Sequence, residues 1–86
     1  MRITILSDAG HGWGKVRRAL LNKLGIEHSI SHYSYQRGDY VFLEEDLDLF
    51  ILCQALDLRG IPYTFEERHT NKTSKIRAYE PYKIDK

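Results

Sequence analysis

"SDAGHGWGKVRRALL", residues 7–21, is the stretch on which the reading of the fold turns. It follows "RITILS" (2–7), where Ile3 and Ile5 alternate with Thr4 as in a buried strand, and it leads into an apolar pattern of helical period. Glycines 10, 12 and 14 and Lys15 lie between. Read as strand, glycine turn and helix, the stretch has the layout of a phosphate-binding loop, G-x-x-x-x-G-K-[ST]. In the matching window, 9–16, Gly14 and Lys15 fit. Ala9 stands where the first glycine belongs, and Val16 where the magnesium-binding hydroxyl belongs. P-loop folds also need more β-α units than 86 residues hold, so a nucleoside triphosphatase is disfavoured. A small anion at the helix start is a candidate ligand, with His11, Gly12, Gly14 and Lys15 as its binding residues. The competing reading is a tight turn in which Trp13 covers the edge of the core.

Working outward, Val16, Leu20, Leu21 and Leu24 predict a helix over 15–24, ended by Gly25. Residues 28–43 read as a β-hairpin about the Arg37-Gly38-Asp39 turn. The strongest helix spans 44–59, with Asp46 as N-cap and Leu49, Leu52, Cys53 and Leu56 as its apolar stripe, and Gly60 ends it. "IPYTFEER" (61–68) is a strand with Pro62 near its start. Residues 69–74 are a turn, and "KIRAYEPY" (75–82) is a short strand or extended tail, with 79–86 the looser part. The order β-α-β-β-α-β(-β) predicts the α+β class: one domain over 1–86, a two-layer sandwich of ferredoxin-like type.

Composition narrows the function classes. A hydrophobic content of 42%, with six Tyr, three Phe and one Trp, supports one compact core and argues against intrinsic disorder. The net charge of +1 gives no push toward nucleic acid or membrane, but the charges are segregated. Residues 39–60 carry Asp39, Glu44, Glu45, Asp46, Asp48 and Asp57 against Arg59, and both flanks are basic. Cys53 is the single cysteine, so there is no intrachain disulfide and no cysteine zinc cage. Together with the absence of a signal-like segment, this leads us to expect a reducing cytoplasm.

Four groups of residues bear on chemistry. The acidic run at Glu44, Glu45, Asp46 and Asp48 reads as helix capping and solvated charge, or as an edge that steers a basic partner. The calcium-loop spacing is absent. The tyrosines at 33, 35 and 40, with Phe42, read first as cross-strand packing. As an alternative they stack on bases beside a basic helix bearing Arg17, Arg18 and Lys23, which would make a nucleic-acid-binding module. "RGDYVFL" is partly similar to the RNP1 pattern, but Asp39 occupies the position of the first stacking aromatic. His28 and His32 lie too far apart along a regular strand to share a metal. Asp8 and His11 form the one pair with the makings of a general base, yet no nucleophile accompanies them beyond the adjacent Ser7. No catalytic residue, metal site or cofactor is assigned.

Five segments carry a resemblance. They are "DAGHGW" (8–13), "SHYSYQRGD" (31–39), the aromatic strand after it, "LEEDLD" (43–48) and the "IRAY" of "SKIRAYEPY" (74–82). Together they resemble a family of small uncharacterised proteins of bacteriophages and other mobile elements, over most of the chain. The resemblance implies an accessory role in the cytoplasm of a bacterial host, in which the protein binds and blocks a host or defence macromolecule without enzymatic activity. The surface expected to do so comprises Tyr33, Tyr35, Gln36, Arg37, Asp39, Tyr40, Glu44, Glu45, Asp46 and Asp48. An exposed sheet edge would also allow a homodimer.

Overall fold

A computed structural model describes residues 1–84 of the chain. In chain order these form β1 (Arg2–Ser7), β2 (Gly12–Arg17), α1 (Arg18–Leu24), β3 (Tyr35–Arg37), β4 (Tyr40–Glu44), α2 (Asp48–Leu58) and β5 (Thr64–His69). A 3-10 turn (Lys75–Ala78) and the short β6 (Glu80–Pro81) follow. The six strands make one sheet in the order β5-β1-β2-β4-β3-β6. Only the β1–β5 pair is parallel. Two successive hairpin-and-helix units therefore build the molecule, and β5 returns to the far edge beside β1.

Both helices cover one sheet face. Leu21, Leu24, Leu52 and Leu56 pack on Ile3, Val16, Val41 and Leu43, and all are buried. This is the two-layer α+β arrangement that the sequence predicts. The connectivity is not that of the split β-α-β unit, and the difference arises in residues 12–17. "GWGKVR" is a central strand, not a turn leading into a helix. Its period is two: Gly12, Gly14 and Val16 face the helices, while Trp13, Lys15 and Arg17 face the other way. The glycines serve close approach. A Cβ on Gly14 would lie 2.7 Å from Leu49 Cδ1 and 3.6 Å from Ile3 and Ile5. The actual turn is residues 8–11, where the Asp8 carboxylate accepts the N–H groups of Gly10 and His11. Helix α1 is accordingly seven residues long and starts at Arg18, and Gly25 ends it in the left-handed region, φ 70°.

The second hairpin is shorter than the pattern predicts. Residues 28–34 leave the ladder, because Ser31 and Ser34 turn their hydroxyls to a buried carboxylate, that of Asp48. The end of the chain is packed, contrary to the looser tail expected there. Strand β6 pairs with β3, and Tyr82 is buried, its hydroxyl donating to the Glu27 carbonyl and its N–H to that of Ser34. Residues 85 and 86 of the expected tail lie outside the described residues. On the open sheet face the 3-10 turn lays Ile76 and Tyr79 over Trp13 and Phe42, forming a second, smaller apolar cluster. Among the described residues no helix is long and apolar enough to cross a membrane.

Filling the space above Gly14 tests this seating of α2. Gly14→Val should destabilise the protein by about 1–3 kcal/mol in urea denaturation. Gly14→Ala should cost less, because the end of the Leu49 side chain can shift aside.

Candidate functional site

The start of α2 organises the region that the sequence singles out. Glu44, the last residue of β4, folds its carboxylate back over the helix start and accepts the N–H groups of Asp46, Leu47 and Asp48 at 2.9, 2.6 and 2.6 Å. The cap is thus supplied by Glu44, not by Asp46, and the helix begins at Asp48. The orphan amides already hold an internal carboxylate. Asp48 is fully buried. Its Oδ2 accepts from the Ser31 N–H, the Ser31 hydroxyl and the Ser34 hydroxyl at 3.0, 2.7 and 2.5 Å. These bonds fold residues 31–34 so that Tyr33 stands out from the surface, 69% exposed, with its ring stacked on His32.

A second clamp closes the other side. The Arg77 guanidinium donates to both oxygens of Asp8, Nε to Oδ2 at 2.7 Å and Nη2 to Oδ1 at 2.9 Å. This pairing, reinforced by the N–H groups of Ser74, Gly10 and His11, holds the Asp8 carboxyl far below the usual carboxylate range. The same guanidinium lies 5.3 Å over the Trp13 ring, Tyr35 meets Trp13 edge-on at 6.3 Å, and His11 is 6.1 Å away. The late segment 74–77 is thereby tied to the β1–β2 turn.

Between the two clamps lies an open cleft of about 450 Å³, lined by His11, Trp13, Tyr33, Tyr35, Glu44, Asp46, Leu47 and Arg77. Its walls are aromatic. Its one cation, Arg77, is neutralised by Asp8, whereas Asp46 is exposed and makes no ion pair among the described residues. The cleft can therefore hold a cationic group on an apolar stem, with the rings and the Asp46 carboxylate as its partners.

The predicted residues distribute unevenly about this cleft. Tyr33, Tyr35, Glu44 and Asp46 line it. Asp48 cannot meet a partner, because it is buried beneath the surface that it shapes. Gln36 is engaged by Arg18, Glu80 and Lys83, and Arg37 lies over Tyr79. Glu45 and Asp39 are exposed but do not line it, and Tyr40 lies farther along the sheet, half-buried under Lys15.

The anion site drawn from His11, Gly12, Gly14 and Lys15 does not form. Gly12 and Gly14 face the helices, Lys15 faces the opposite side, and no helix starts at Gly14. The Asp8–His11 pair is no general base either, since Asp8 binds the His11 backbone and spends its other oxygen on Arg77 and Ser74. Nor does the basic helix exist as drawn: Arg17 ends β2, and Arg18 donates to Gln36 and to the Lys83 carbonyl.

Two features were not legible in the chain. Leu47 and Arg77 complete the cleft from positions far apart in sequence. Ser7, Glu67 and His69 also meet, the Ser7 hydroxyl donating to Glu67 Oε2 at 2.8 Å with His69 Nδ1 at 3.0 Å. Both partners contact the serine, so the histidine does not stand between serine and carboxylate as a relay requires. No cluster of three metal-binding side chains occurs among the described residues. No family model matches the chain, and neither the curated proteins nor the solved structures provide a match.

Two measurements check the clamps. Asp48→Ala strands the Ser31 and Ser34 donors and should cost about 2–3 kcal/mol in urea denaturation, with Asp48→Asn costing less. For Asp8 the sign follows from a depressed folded-state pKa. Its contribution is full above the unfolded carboxylate value of about 3.9 and is lost as pH falls further. Wild type should therefore melt above Asp8→Asn at neutral pH, and the gap should narrow below about pH 4.

Proposed function

We propose that this protein is a non-enzymatic binding module whose aromatic–acidic cleft receives an arginine- or lysine-bearing segment of another macromolecule. The observation that carries the reading is the cleft itself: exposed Tyr33 beside Tyr35, Leu47 and Asp46, with the only lining guanidinium already paired to Asp8. A cation entering there gains ring faces and a carboxylate without displacing an internal partner.

The segments that resemble mobile-element proteins support the same place. Residues of "DAGHGW", "SHYSYQRGD", "LEEDLD" and "IRAY" all border the cleft or brace it. On that resemblance the partner is a host or defence component, and the protein acts as a small accessory factor that occupies it.

The test is a tagged pull-down from nuclease-treated bacterial lysate, run in parallel with Tyr33→Ala and Asp46→Lys, both at exposed positions. A stoichiometric protein held by wild type and lost at least tenfold by both variants is the expected result. Equal capture by all three places the binding surface elsewhere and rejects the cleft.

A further inference from the structure

The open face of the sheet has a second end, and its chemistry is opposite. Strands β2 and β4 run antiparallel, so Trp13 pairs with Glu44 at the cleft end and Arg17 pairs with Tyr40 at the other. Arg37 of β3 also pairs with Tyr40. Arg2 of β1, Lys15 and Arg17 line, with Thr4 and Tyr40, a hollow of about 410 Å³ that contains no carboxylate. Lys15 Nζ lies 4.2 Å from the centre of the Tyr40 ring, and the Arg17 guanidinium 5.1 Å from it.

Several cations elsewhere in the molecule are used internally. Arg18 donates to Gln36 and the Lys83 carbonyl, Arg68 pairs with Glu66, Arg77 with Asp8 and Lys83 with Glu80. Arg2, Lys15, Arg17 and Arg37 are exposed, and among the described residues none of them forms an ion pair or donates a side-chain hydrogen bond. The shallow hollow beside Arg17 has Asp39 as the one acidic residue among its lining residues. Lys15 and Arg17 lie over Tyr40 with Arg2 and Arg37 nearby, and the aromatic face offsets the mutual repulsion of these cations only in part. A polyanion would supply the missing charge.

We infer that this end of the sheet binds the phosphate backbone of single-stranded nucleic acid. Lys15 and Arg17 are two residues apart on one strand face, about 6.7 Å, the scale of one nucleotide step in an extended strand. Arg2 and Arg37 widen the track on either side. The guanidinium planes of Arg17 and Arg37 offer stacking surfaces to unpaired bases without selecting sequence. Among the described residues both helices pack on the opposite face of the sheet, so neither is placed to enter a duplex groove from this side. The site is separate from the cleft and does not rest on the reading given for it.

Fluorescence anisotropy with a labelled polypyrimidine DNA oligonucleotide tests the assignment, using the full chain and titrating salt. Three to four phosphate contacts should give a log–log salt slope of about −2 to −3. Lys15→Glu/Arg17→Glu should weaken binding at least tenfold, while Lys23→Glu, on α1 and away from this face, should not. Thermal melting confirms that each variant folds. Absence of binding at low salt overturns the inference, as does an equal loss in the Lys23 control. Tighter binding of a duplex of the same length overturns the single-strand assignment. Complete displacement by millimolar inorganic phosphate shows a small-anion site instead and likewise overturns it.

Discussion

Helix α2 rests on strand β2 where the chain has no side chain to offer. Gly14 brings its backbone under Leu49, and any Cβ there would overlap the leucine methyl. From that contact the rest follows. With α2 seated, Leu52 and Leu56 reach Val41 and Leu43 and close the main core. With β2 held as a central strand, Trp13, Lys15 and Arg17 are committed to the opposite face. The strand that looks like a loop is thus the one both layers are built on.

The opposite face is only partly covered. The 3-10 turn shields Trp13 and Phe42, and the Asp8–Arg77 pair fastens it there. An ion pair of this kind contributes little when exposed and more when desolvated and bidentate. Here the Asp8 carboxylate is almost wholly buried and its oxygens accept from Arg77 and three backbone amides. On either side of this covered centre the face separates into an aromatic–acidic cleft and a cluster of unpaired cations. A net charge near zero does not disclose that separation, since a sum carries no position.

Much of the helical structure was legible. Leu49, Leu52 and Leu56 do line the inner side of α2, whereas Cys53 is not part of the core, and Gly25 and Gly60 end the helices with positive φ. These signals are local: an apolar period and a residue that tolerates the left-handed region. The reading of 12–17 failed because glycine carries two meanings. It permits a turn, and it permits close approach, and only the position of Leu49 selects between them. The capping of α2 failed for a similar reason. Asp46 has the right residue type, but Glu44 reaches the same amides from the end of a strand whose direction the chain alone does not disclose. In the candidate site, Tyr33, Tyr35 and Asp46 were visible as exposed polar and aromatic positions, whereas Asp48 was misplaced at the surface because a carboxylate is rarely buried without partners.

Local chemistry in the chain therefore determined the α+β class, the two helices and their C-terminal ends, and the acidic and basic segments. Each depends on neighbours within a turn or two of backbone. The tertiary structure alone decided that β2 is central, that Asp48 lies beneath Tyr33, and that Arg77 closes on Asp8 across the length of the sequence. Those contacts join residues 14 to 69 positions apart. Their free energy comes from excluding water and pairing buried charge, which exist only once the sheet has brought the partners together.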